Sequence, residues 1–176
     1  MSIREDKAEI FLAAYDPAWS IMFAELDHEI RGALGQKVLL LEHVGSTSVP
    51  GLAAKPVVDV LLAVANSADE SSFLPPLEAA GFALQFREPE WFEHRLLRAP
   101  RIQSNIHVFS LGCEEIDRMV LFRDWLRAHD EERLLYEQTK RDLALRSWNR
   151  VQDYADAKSE IVTAILSRAV QARGHR

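Results

Sequence analysis

The chain has 176 residues, 48% of them apolar and 27% charged, the make-up of a globular protein long enough to bury one sizeable core. Its formal charge of −6 excludes the general positive field that nucleic acid or an anionic membrane would require, so neither partner is expected. A single cysteine, Cys113, rules out an intrachain disulfide and a two-cysteine zinc clip.

In "MSIREDKAEIFLAAYDPAW" charges of both signs begin at the fourth residue, so no secretory signal is read there. No apolar run reaches the ~18 residues of a membrane span, and a cytoplasmic protein is expected. Asp16-Pro17 opens the first helix, with Asp as cap and Pro where its missing N–H costs nothing. Trp19, Met22, Phe23, Leu26 and Ile30 recur at helical spacing, and Gly35 is the expected stop. "KVLLLEHV" predicts a strand ending at Gly45-Ser46, and "STSVPGLAAKP" an irregular loop. "VVDVLLAVA" predicts a strand covered on both faces. "SADESSFLPPLEAAG" reads as a connection containing a helix. "FALQF", "FEHRLLRA" and "IQSNIHVFSL" predict three more strands, the last two an antiparallel hairpin. From Glu114 onward the apolar spacing predicts three helices, the last running through Val151, Tyr154, Ile161 and Leu166. The expected fold is a single α+β domain, with a sheet core over about 14–112 and a helical C-terminal part over about 113–170.

The chemistry gathers around "EHVGSTSVPGLAAKPVVDV". Its glycines do not match a P-loop, because five residues separate Gly45 from Gly51 and Leu52 follows. A Gly-Ser turn leaving a strand can still present Ser46, Thr47 and Ser48 to a phosphate, although such turns commonly satisfy only their own backbone. Asp59 is the sharper signal. A carboxylate within an apolar strand costs several kcal/mol unless it is paired or coordinated. Two structural explanations stand beside a functional one: a salt bridge to a cation such as Lys55 or Arg95, or a strand end near solvent.

Gly-Ser, twelve residues, then an Asp on an apolar strand resembles the nucleotidyltransferase superfamily, where an Asp-x-Asp pair holds magnesium against a nucleoside triphosphate. Here the second acid's position is Leu61. Glu42 and His43 beside the turn, and His107 on "NIHVF", are the residues that could complete a site. Asp59 and His107 are therefore the candidate catalytic pair, and Asp59, His107 and His43 the candidate ligands for a divalent ion, Mg or Mn.

The long stretch 42–60, with "YDPAW", "NIHVF", "LFRDWLRAH", "YEQTKRDLA" and "YADAKSEIV", resembles the GrpB family over about residues 14–166. The resemblance implies a nucleotidyltransferase-like mixed sheet flanked by helices, in a family where the lone Asp is usual. Relatives fused behind dephospho-coenzyme A kinase imply a nucleotide-like or coenzyme A-like ligand. The resemblance also draws attention to Arg123, Arg127, Lys140 and Lys158 on the helices. Tyr136–Lys140 and Tyr154–Lys158 are each four apart, so each pair shares a helix face able to clamp a phosphate if turned to the sheet. Of these, Arg123, Tyr136, Lys140 and Lys158 join the turn residues Gly45, Ser46, Thr47 and Ser48, and Lys55, as the candidate ligand-binding set. Three functions follow: transfer of a nucleotidyl or phosphoryl group to a small acceptor, non-catalytic binding of such a ligand, or an architectural role for Asp59.

Overall fold

The computed structural model describes residues 8–174; the charged opening at residues 1–7 lies outside it. Helix α1 spans Ala18–Leu34, where the Asp16 carboxylate accepts the Ala18 amide at 2.9 Å. Trp19, Leu26, Ile30 and Leu34 form its buried stripe, while Met22 lies at the rim. A 3-10 turn over Gly35–Lys37 follows, so strand β1 begins later than the apolar run suggests, at Leu40, and ends at Val44. The other elements are β2 (Val58–Val64), α2 (Leu74–Ala79, with its prolines in the first turn), β3 (Ala83–Glu88), β4 (His94–Arg98) and β5 (Ser104–Ser110). Strand β4 starts at His94 because Phe92 and Glu93 both adopt positive φ, which turns the chain before pairing can begin.

The five strands form one mixed sheet in the order β1-β2-β5-β4-β3. Only β2 and β5 run parallel; the other three pairings are antiparallel, including the expected β4–β5 hairpin. Val58, Val60 and Leu62 of β2 pack with Ile106 and Val108 against Leu26 and Ile30 of α1. On the opposite face Leu61 and Ala63 join Val44 and Phe109 beneath Ile116. Burial on both faces thus explains the unbroken apolar character of β2.

Helices α3 (Glu114–Ala128) and α4 (Asp130–Ala144) cover that second face and the loop after β1. The expected final helix is two, α5 (Val151–Ala157) and α6 (Ser159–Arg173). The break is one tight turn at Lys158, whose amide is shared between the carbonyls of Tyr154 and Ala155 at 3.3 Å each. Helical spacing continues across so short a turn, which is why periodicity alone joins the two. The fold is α+β, a five-stranded mixed sheet flanked by helices with a helical C-terminal part.

Candidate functional site

Asp59 is the second residue of β2 and pairs in register with Val44, the last residue of β1, and with Asn105, the second of β5. It therefore sits at the end of the sheet where the Gly-Ser turn begins. The turn is built around it. Gly45 has φ +72, and a Cβ there would stand 2.5 Å from Asp59 Oδ2 and 3.0 Å from Asp59 Cβ. Only glycine provides both the left-handed backbone and the room. Ser46–Ser48 then form a single 3-10 turn, tied down from both sides. Ser48 Oγ donates to the Gly45 carbonyl at 2.5 Å, and Thr47 Oγ1 lies 2.9 Å from His43 Nε2. Arg127 donates twice to the Ser48 carbonyl, at 2.9 and 2.8 Å. Arg123 donates to the His43 carbonyl at 3.0 Å and to Glu42 at 2.6 Å.

Asp59 is bonded to neither Lys55 nor Arg95. The Arg95 guanidinium is held by Glu70 at 2.8 Å and by Glu93 at 3.1 Å. Instead Asn105 Nδ2 donates to Asp59 Oδ1 at 3.2 Å, and His107 Nε2 lies 3.1 Å from the same oxygen. The carboxylate side chain stays 28% exposed. Behind His107 the contacts continue: Nδ1 is 3.0 Å from His94 Nε2, and His94 Nδ1 is 2.7 Å from Glu88 Oε2 at the sheet edge. Burial, then the charge of His107, pushes His94 down to about 4. The three contacts run in line from Asp59 to Glu88, across β5, β4 and β3. Asp59→Asn keeps an acceptor for Asn105, so its expected cost is below about 2 kcal/mol by denaturant unfolding. A loss of about 3–5 kcal/mol would mark the acid as architectural.

The opposite wall is cationic. Lys140 of α4 is 2% exposed, and its Nζ donates to Ser46 Oγ at 3.0 Å and to the Ala53 carbonyl at 2.5 Å. It stands 4.8 Å over the Tyr136 ring. Lys158, at the α5–α6 turn, lies 4.7 Å over the Tyr154 ring, and Lys55 5.9 Å over the same ring. Burial, then the charge of Lys158, pushes Lys140 down to about 7. Burial, then the charge of Lys55, pushes Lys158 down to about 8, against the pull of Asp59. Burial likewise raises the phenol of Tyr154 to about 12. Tyr154 is fully buried, and its hydroxyl has no hydrogen-bond partner among the described residues.

These groups enclose a cavity of about 220 Å³, lined by Ser46, Thr47, Lys55, Asp59, Asn105, Lys140, Tyr154 and Lys158 among others. Of the residues expected from sequence, Ser46, Thr47, Lys55, Asp59, Lys140 and Lys158 meet here. His107 stands behind Asp59, and the buried Tyr136 carries Lys140. Ser48, Arg123 and Arg127 brace the turn from outside the cavity. His43 points through the other face of the sheet, because it pairs with Val60 rather than with Asp59. It stacks on Phe23 at 4.9 Å, and burial, then Arg127, pushes it down to about 4. It cannot join Asp59 around one ion.

The donor set does not fit the magnesium pair of a nucleotidyltransferase. Leu61, in the second acid's position, is fully buried in packed core. Among the described residues no three His, Cys, Asp or Glu side chains converge to hold a metal, and the lysines beside Asp59 oppose a cation electrostatically. Asn105, His94 and Glu88 are the residues that sequence reasoning did not select. Alternation places Asn105 on the His107 face, a usable signal. Nothing in the spacing reveals the other two contacts.

Fold and site together define an α+β protein with a lysine-walled cavity at the sheet end, entered beside a Gly-Ser turn. The profile of the family described as GrpB protein matches residues 9–168, and the chain belongs to the GrpB family. A UPF0157 protein from Halalkalibacterium halodurans is 53% identical, over 95% of this chain and 86% of its own length. One from Streptomyces coelicolor is 47% identical, over 94% and 87%. The crystal structure of GrpB from Enterococcus faecalis superposes with a TM-score of 0.76 at 27% identity, covering 93% of this chain and 99% of that one. No helix among the described residues is long and apolar enough to cross a membrane.

Proposed function

We propose that the cavity binds a phosphate-bearing small molecule, nucleotide-like or coenzyme A-like, and that its lysines neutralise the phosphate charge. The supporting observation is the convergence of Lys55, Lys140 and Lys158 on a hollow whose lining carries one carboxylate. Ammonium groups that repel one another around a single carboxylate, with Lys140 buried, are costly alone and are relieved by a bound anion. Partial similarity to a dephospho-CoA kinase from Mycolicibacterium paratuberculosis, 27% identical over 86% of this chain and 44% of that protein, favours a ligand of this kind.

Calorimetry with pyrophosphate, in EDTA to remove divalent ions, is expected to show one site per chain. Absence of binding at millimolar pyrophosphate would contradict the reading. Sulfate, which stays a dianion over the range, is the probe for pH. Its affinity is expected to be highest below pH 7. It should fall about tenfold per unit once pH passes about 7 and more steeply beyond about 8, as Lys140 and then Lys158 lose their protons.

The Asp59–His107–His94–Glu88 chain favours a second reading, transfer of a phosphoryl or nucleotidyl group to a small hydroxyl acceptor. Asp59 would take the acceptor's proton as its oxygen bonds to phosphorus, while the bond to the leaving phosphate breaks and its electrons leave on that oxygen. Under that reading Asp59→Asn abolishes transfer but leaves pyrophosphate bound.

A further inference from the structure

Next to the anion cavity lies a larger groove of about 630 Å³. The two share a wall, since Lys55, Val57 and Asn105 line both. We infer that they are two compartments of one site, and that its ligand is a phosphate ester with a bulky organic body lying in the groove. This rests on the proposed anion site and specifies what is attached to the anion.

Size is the first argument. Pockets for whole small molecules occupy roughly 300–1,000 Å³. The inner hollow, at about 220 Å³, falls below that range and suits phosphate groups alone. The groove falls within it. An inorganic anion would fill the inner hollow and leave the groove without a purpose.

The chemistry of the walls changes in the same direction. The inner hollow is polar and cationic. The groove presents the apolar side chains of Phe11 and Val151, which are 68% and 48% exposed, beside Pro56 and Ile102. Phe11 offers an open aromatic face to a flat ring or an alkyl-amide arm. Polar residues accompany these surfaces, among them Glu9, Arg98, Arg101, Gln103 and Ser104. The side chains of Arg98 and Gln103 line the groove and make no hydrogen bond or ion pair among the described residues. Apolar walls with a few uncommitted polar groups are the usual composition of a site for an organic ligand. Asn105 lies at the junction with its amide fixed on Asp59, so phosphate and body would meet beside the carboxylate.

A nucleoside and a pantetheine arm share this chemistry, and binding measurements can separate them. Calorimetry in EDTA would compare ADP with pyrophosphate, and 4′-phosphopantetheine with orthophosphate. The same set would be repeated on the Phe11→Ala/Arg98→Ala double variant, checked for folding by circular dichroism. At least one organic ligand is expected to bind tenfold or more tightly than its inorganic part, and which one does so identifies the body. The double variant should erase that advantage while inorganic affinity stays within about twofold. The inference is overturned if neither organic ligand exceeds its inorganic part, or if the double variant weakens both equally. Organic ligands that bind where pyrophosphate and orthophosphate do not would instead contradict the lysine site and leave the groove standing. Failure of all four ligands removes both.

Discussion

Lys158→Met is expected to stabilise the protein and, in the same variant, to weaken pyrophosphate binding at least tenfold. The two effects share one cause. Burial and Lys55 push Lys158 down to about 8, so at neutral pH the native state holds a proton that it binds less tightly than the unfolded chain does. The sign follows from linkage. Stability rises with pH wherever the unfolded state binds more protons, here from about 7 for Lys140 and about 8 for Lys158 up to the ordinary lysine range. Below that window the full penalty is present. Methionine keeps the hydrophobic stem against Tyr154 and removes the ammonium, which makes no hydrogen bond among the described residues. A gain of about 1–2 kcal/mol at pH 7 is expected from urea unfolding, smaller than the full shift implies because the side chain is partly open to water. The same variant should flatten the rise in stability above pH 8. It should also raise the pKa of Lys140, which loses its repelling neighbour. Destabilisation together with unchanged anion binding would mean that Lys158 is a structural residue.

Gly45→Ala acts in the opposite direction, on the geometry that holds Asp59. Alanine at φ +72 carries backbone strain, and its Cβ would meet Asp59 Oδ2 at 2.5 Å and Asp59 Cβ at 3.0 Å. The carboxylate cannot swing away freely, because Asn105 and His107 both lie on its other oxygen. Strain and overpacking together give an expected loss of about 3–5 kcal/mol. For a chain of this size that is a fall in Tm of roughly 10 °C. Combining Gly45→Ala with Asp59→Ala separates the two contributions. Removing the carboxylate should recover part of the loss, giving a coupling above about 1 kcal/mol, while the positive-φ penalty remains. Full additivity would show that the turn and the acid are independent.

The sheet and its helices were legible where burial writes a period into the sequence. Strand β2 is apolar at every position but Asp59 because core covers both its faces, and α1 carries a buried stripe every three or four residues. The lysine walls were half legible. Spacing placed Lys140 with Tyr136 and Lys158 with Tyr154, but which way those faces turn depends on how α4 to α6 cross the sheet, and helical period carries no record of that. Arg123 and Arg127 share the basic character of those lysines and ended on the far side of the turn for the same reason. His43 shows a different limit. It lies two residues before Gly45, yet the register Val44 with Asp59 sends it through the opposite face, and strand register is a tertiary property. The contacts that join His107 to His94 and Glu88 cross three strands. They follow from the order β5-β4-β3, which local patterns do not encode.

The most direct test is to locate a bound anion. Crystals soaked in selenate and measured at the selenium absorption edge should show an anomalous peak in the hollow between α4, the α5–α6 turn and the end of β2. The oxyanion is predicted to lie within hydrogen-bonding reach of both ammonium groups, Lys140 and Lys158. Selenate bound only elsewhere on the surface, with that hollow holding nothing but solvent, would contradict the account.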